Sequence, residues 1–198
     1  MIQYKKYYMP STKEELLKTI DTIDCTYDIL AGGTDLYAKE KTPFNGADAA
    51  IDISGIKEFS VIELKKDEGL ITFGSNICIQ QFLEEKVLME NVPILRHAAI
   101  YFADQQIREM ATVGGNVANS SPSGDTIAPL TVLEAVIHTI TSKDNKICEK
   151  ETPITEFITG VGKNLLEKGE VISSITCPVL KEYGCAFKKV GLRRSLCI

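Results

Sequence analysis

Two glycine pairs constrain this chain more than any other feature. The first lies in Ala31-Gly32-Gly33-Thr34-Asp35-Leu36, and the second in Thr112-Val113-Gly114-Gly115-Asn116-Val117, about eighty residues later. Each follows an apolar run and precedes short polar side chains. The second continues as Ala118-Asn119-Ser120-Ser121-Pro122-Ser123-Gly124-Asp125. Glycine lets a main chain approach closely and take positive φ, and successive N–H groups in turns form anion-binding concavities. Two such loops can converge on one diphosphate. Roughly five or six charge-assisted N–H bonds, at about 1.5–3 kcal/mol each, would hold it without a lysine.

Neither loop is a Gly-x-Gly-x-x-Gly dinucleotide fingerprint, and neither carries the Gly-Lys-Ser/Thr of a phosphate loop. A single Gly-Gly between strand and helix is most often only a turn. The pairing of two, each with a capping or donating side chain, is what points to a site. Pro122 and Gly124 aim Asp125, either as a helix cap or as an acceptor for ligand hydroxyls.

The 198 residues, 44% of them apolar, suffice for one sizeable core, in one lobe or two. A net charge of −5 argues against a nucleic-acid partner, which calls for a basic patch. No apolar run reaches the ~18–20 residues of a membrane span, and the N-terminus has no apolar signal core. The sequence reads as cytoplasmic. Its six cysteines, Cys25, Cys78, Cys148, Cys177, Cys185 and Cys197, make no Cys-x-x-Cys pair. They read as free thiols and not as a metal or cluster site.

The pattern predicts an edge strand over Ile2 to Met9 and a helix capped by Ser11 with Glu14. A buried strand is expected over Tyr27 to Ala31, then a short helix from Asp35 to about Lys41 and a strand over Ala49 to Ile53. This order describes a small parallel α/β lobe. A hairpin follows, Phe59 to Leu64 with Leu70 to Phe73. Helices are expected from Ser75 or Asn76, from Pro93 and after Asp125. Further strands are expected over Leu133 to Thr141, Lys146 to Glu149, Val171 to Cys177 and Gly184 to Val190. A boundary near Ile53 to Lys57 would divide the chain into residues 1–55 and a mixed-sheet lobe, 56–198.

These motifs, with Glu170-Val171-Ile172 leading to Pro178 and Ala186-Phe187-Lys188-Lys189-Val190, resemble the FAD-binding subunits of the molybdenum hydroxylases in order and spacing. That family includes xanthine, carbon monoxide and nicotinate dehydrogenases. The resemblance implies an α+β fold with an α/β N-terminal lobe, a two-lobed FAD-binding domain of the vanillyl-alcohol-oxidase (PCMH) type. It implies an oxidoreductase subunit that takes electrons from partner 2Fe–2S clusters to FAD and on to NAD⁺ or another acceptor. Molybdopterin would sit on a large partner subunit and the 2Fe–2S clusters on a small one. Carried over by position, Ile29, Leu30, Ala31, Gly32, Gly33, Thr34, Asp35 and Leu36, with Thr112, Val113, Gly114, Gly115 and Asn116, would bind the diphosphate and ribityl chain. Asp125 would lie near the ribityl or flavin end. Phe102 and Ile172 would flank an aromatic ring of the cofactor, although by residue type alone they read as core. Lys188 would lie near the flavin; by type alone it is an exposed lysine. Arg193-Arg194 resembles a basic pair of the family, and His97 and His138 read as structural. Family members continue into a C-terminal α/β domain, which the resemblance marks as absent after Ile198. Two other readings are a stand-alone FAD reductase on the same scaffold, resembling the enolpyruvyl-sugar reductases, and a non-catalytic scaffold subunit.

Overall fold

The computed structural model describes residues 4–38, 46–143, 146–193 and 196–197. Its N-terminal part is a parallel three-stranded sheet of β1 (Lys6–Tyr8), β2 (Tyr27–Leu30) and β3 (Ala49–Asp52), in the order β1-β3-β2. Ala49, Ala50 and Ile51 are fully buried in the central strand, as a parallel strand covered on both faces requires. The strand expected from Ile2 is the edge strand β1; Ile2 and Gln3 lie outside the described residues. Helix α1 (Lys13–Thr22) crosses from β1 to β2 and buries Leu16 and Leu17. It starts one residue later than the sequence suggests. The Thr12 hydroxyl accepts from the Glu15 N–H at 3.2 Å, and the Glu15 carboxylate turns back to accept from the N–H and hydroxyl of Ser11.

The second sheet is antiparallel, with the order β4-β5-β10-β6-β7. Its strands are β4 (Ile62–Lys65), β5 (Leu70–Gly74), β6 (Val136–Lys143), β7 (Lys146–Pro153) and β10 (Val171–Pro178). Two hairpins, β4-β5 and β6-β7, are bridged by β10, the last of the five in sequence. Short helices fill the interval: α3 (Gln81–Glu84), α4 (Lys86–Asn91), α5 (Pro93–Ile100), α6 (Gln105–Met110), α7 (Val113–Asn119), α8 (Ile127–Val132) and α9 (Ile154–Phe157). They pack a core around Ile71, Phe73, Ile79, Leu95 and Ile175, in which Phe73 and Phe82 meet edge to face at 5.5 Å. A second cluster joins the sheets: Leu16, Leu17 and Ile51 pack with Phe59, Ile140 and Val171.

Four expectations are corrected. No helix starts at Ser75, because this backbone bonds to distant partners: Ser75 N–H to Ser173 O, Asn76 N–H to Phe59 O and Val113 N–H to Ile77 O. Strand β6 begins at Val136 and not Leu133, since Glu134 takes φ of 51° in the turn that closes α8. Residues 184–190 form no strand; side chains tether them instead. The second glycine pair is no loop but the first turn of α7. The helix expected from Asp35 is α2 (Thr34–Ala38). Its expected end at Lys41, like Arg194, lies outside the described residues. The 8–9 hairpin, β8 (Ile158–Gly160) with β9 (Lys163–Asn164), and the pair β11 (Gly191–Arg193) and β12 (Leu196–Cys197) complete the chain.

Candidate functional site

A cleft of about 870 Å³ lies between the two sheets, a volume typical of sites that enclose a small molecule. Its walls come from β2 and residues 31–36, from Ser75-Asn76, from residues 102–119, and from Leu166 and residues 170–172. Both glycine pairs line it, so the two distant motifs do meet at one place.

The glycines achieve this mostly by packing against protein. A Cβ on Gly32 would stand 1.8 Å from the Met110 carbonyl oxygen, so two main chains touch there. A Cβ on Gly114 would stand 2.5 Å from Ser75 Cβ and 2.7 Å from Ser75 O. Gly33 has φ of +69° under the Tyr37 ring, a conformation that favours glycine. At Gly32 and Gly114 the close approach that glycine permits is therefore to protein atoms.

The amides divide between the motifs in the same way. In the second, protein acceptors take those of residues 113–116: Val113 donates to Ile77 O, Gly114 to Ser75 O, Gly115 to the Thr112 hydroxyl and Asn116 to Thr112 O. In the first, no acceptor among the described residues takes the N–H of Gly33, Thr34 or Leu36. Strand β2 adds to this supply. It is an edge strand, and its Thr26 and Leu30 carbonyls face β3, where they accept from Ala49 and Ile53. By the two-residue alternation of a strand, Tyr27, Ile29 and Ala31 turn their backbone groups the other way, and all three line the cleft. Among the described residues no lysine or arginine lines it. An anionic ligand here would have to be held by main-chain dipoles.

Side chains supply the rest. Ser75 Oγ and Asn76 Oδ1 are buried on the cleft wall with no partner among the described residues. Such atoms cost about 1–3 kcal/mol unless a ligand or water meets them. Asn116 Oδ1 accepts from the Thr126 hydroxyl at 2.6 Å, which leaves its Nδ2 as a donor. Phe102 and Ile172 both line the cleft, Ile172 at the register shift of β10.

Four expected site residues do not line it. Leu30 and Val113 point into the core. Asp125 pairs with Lys189 at 2.9 Å, with both side chains largely buried. Lys188 is exposed, so the inward lysine of the pair is Lys189. The sequence reading missed Asp28, Ser75, Asn76, Asn119 and Glu170, all of which line the cleft. For Asp28 a signal existed, since it is a single acid inside an apolar strand. Glu170 accepts from the Thr139 hydroxyl and the Glu167 N–H, holding the turn before β10.

Burial pushes the Asp28 carboxyl above its ordinary value, and the Tyr4 hydroxyl, donating at 2.9 Å, opposes the shift. An acid raised in the folded state favours folding while protonated, and that contribution is lost as pH rises through the folded pKa. Asp28→Asn is therefore expected to raise the melting temperature at pH 7. The gain should shrink as pH falls towards the ordinary carboxylate range, measured as melting temperature against pH. A gain independent of pH would contradict this.

Residues 2–180 match the family model described as the FAD binding domain in molybdopterin dehydrogenase. The chain belongs to this family. The FAD-binding domain is 28% identical to the nicotinate dehydrogenase FAD-subunit of Eubacterium barkeri over 198 residues, covering 98% of this chain and 65% of the relative. It is 31% identical to the xanthine dehydrogenase FAD-binding subunit of Escherichia coli over 170 residues, covering 85% and 56%. The carbon monoxide dehydrogenase structure from Hydrogenophaga pseudoflava superposes with a TM-score of 0.87 at 23% identity, covering all of this chain and 67% of that one. This likeness supports the α+β, two-sheet architecture. The domain thus spans about two thirds or less of the length of these relatives. The cleft suits the family's cofactor: it pairs unpartnered amides and orphaned oxygens with an apolar wall. Among the described residues no cluster of His, Cys, Asp or Glu could hold a metal, and no helix is long and apolar enough to cross a membrane.

Proposed function

We propose that the chain binds FAD in this cleft, as the flavin-carrying subunit of a molybdenum hydroxylase-type oxidoreductase. Residues 1–55 and 56–198 act as its two lobes. The amides of Gly33, Thr34 and Leu36, with Gly32 and Asp35 beside them, take the diphosphate. Ile29 and Ala31 offer backbone groups along the strand edge. Thr112, Gly114, Gly115 and Asn116 form the facing wall, with Ser75 and Asn76 as hydroxyl and amide partners for the ribityl or ribose hydroxyls. Phe102 and Ile172 flank one aromatic ring of the cofactor. Asp125 and Lys188, placed off the cleft, act only through the segments that carry them.

FAD, when bound, would supply the redox chemistry, and the protein would bind, orient and tune it. In this reading a small partner subunit with 2Fe–2S clusters delivers the electrons and a large molybdopterin subunit oxidises the substrate. NAD⁺ or another acceptor removes the electrons. The cytoplasm suits the five described free thiols.

The observation that carries the reading is the meeting of unpartnered amides and buried orphan oxygens in one cleft built from both glycine motifs. Titration with FAD, followed by flavin absorbance and thermal melting, tests it. At a hundredfold excess over Kd the native state gains about 2.7 kcal/mol, a rise of roughly 5–10 °C for a chain of this size. An unchanged melting temperature and a colourless protein in large excess FAD would overturn the proposal.

A further inference from the structure

We propose that Arg108 is a positioning residue that sets the Phe102 ring against the cofactor; the inference rests on the FAD reading above. Phe102 follows the last turn of α5, and the chain reverses at once. Ala103 takes φ of 35°, the left-handed region that non-glycine residues avoid, and Asp104 then caps α6 through its side chain. The reversal turns the carbonyls of Phe102 and Ala103 towards α6. Arg108 Nη1 donates to both, at 3.0 and 3.4 Å, and its Nε donates to Gln80 Oε1 at 2.9 Å. Gln80 is itself fixed, its N–H donating to Arg108 O and its Nε2 to Glu84. One planar guanidinium therefore staples three pieces: the turn carrying Phe102, helix α6, and the segment that follows Ser75-Asn76. A lysine offers no such fork.

Among the described residues, the turn's other backbone bonds before Asp104 are those of Tyr101 to Ala98 and Phe102 to Ala99, at the end of α5. With the guanidinium gone, the left-handed Ala103 relaxes and the Phe102 ring leaves its place on the cleft wall. Arg108 itself does not line the cleft, while Phe102, which it bonds, and Ile107 do. Its effect on the ligand is thus indirect and passes through Phe102.

The test is a binding titration of the whole chain with FAD, FMN and ADP, in wild type, Arg108→Ala, Phe102→Leu and the double variant. Arg108→Ala is expected to weaken FAD about tenfold, as Phe102→Leu does, which is the size of one lost ring-stacking contact. The double variant is expected to be no worse than either single one. The loss should fall on one half of the cofactor, FMN or ADP, and spare the other. Wild-type affinity in Arg108→Ala, equal loss of FMN and ADP, or losses that multiply to about a hundredfold in the double variant would each overturn it. If Arg108→Ala does not fold, Gln80→Ala removes only the Nε anchor. It is then expected to weaken FAD about two- to threefold with the same one-sided selectivity, and no change would defeat the proposal. A wild-type chain that binds no FAD defeats the FAD reading instead.

Discussion

Gly32→Ala is expected to separate the two glycine motifs and abolish tight FAD binding. The added Cβ would lie 1.8 Å from the Met110 carbonyl oxygen and 2.6 Å from its carbon. Both partners are backbone, so no flexible side chain can swing away. Overpacking of this kind costs about 1–3 kcal/mol, and a contact this short belongs at the upper end. That corresponds to a fall of roughly 6–12 °C in melting temperature for a chain of this length. Affinity suffers separately, because amides on residues 33–36 and the wall at 112–116 no longer close on the same ligand. A loss of about a hundredfold in FAD affinity is expected, or about 2.7 kcal/mol. Gly55→Ala is the control, since nothing lies within 4 Å of its added Cβ. Full FAD affinity in Gly32→Ala, by absorbance titration, would show that the motifs need not touch.

Lys189→Met is expected to destabilise the chain more than any other lysine substitution in segment 181–190. Lys189 Nζ lies 2.9 Å from both carboxylate oxygens of Asp125, with side-chain exposures of 20% and 12%. Removing one member strands a mostly buried carboxylate, which costs about 3 kcal/mol, or roughly 6–12 °C. The pair ties the extended segment to the turn before α8, beside the Thr126–Asn116 bond on the cleft side. Lys188→Met, at an exposed site, should stay within about 0.5 kcal/mol of wild type. Asp125→Asn combined with Lys189→Met should recover most of the loss, because no lone charge remains. Equal melting temperatures for the two lysine variants would refute the pair's role.

Much of the fold could be read locally. The Ser11–Glu14 signal announced α1 to within one residue, the hairpin pattern announced β4 with β5, although Phe59 and Ser60 turn in a short 3₁₀ helix before β4, and buried apolar runs announced β2 and β3. Those signals depend on side chains a few residues apart. The failures share one cause. The backbone at residues 75–79 looks like a helix start, yet its hydrogen bonds go to Phe59, Ser173 and residues 111–113, which no local pattern encodes. Residues 184–190 alternate like a strand, but no free sheet edge meets them, and Asp125, Tyr101 and His97 hold their side chains instead.

The sequence by itself pointed to two glycine motifs, about eighty residues apart, as parts of one site, and named nearly half of the residues that line the cleft. Glycine content and short polar neighbours are chemical facts of the chain. Only the tertiary structure decided how each motif is used. Met110 and Ser75 occupy the space that Gly32 and Gly114 leave open. Protein carbonyls and the Thr112 hydroxyl take the amides of α7, while no acceptor among the described residues takes those of residues 33, 34 and 36. Lys189, not its neighbour, turns inward. Each outcome depends on which distant atoms share a volume, because a hydrogen-bond donor is free only when folding brings no acceptor to it.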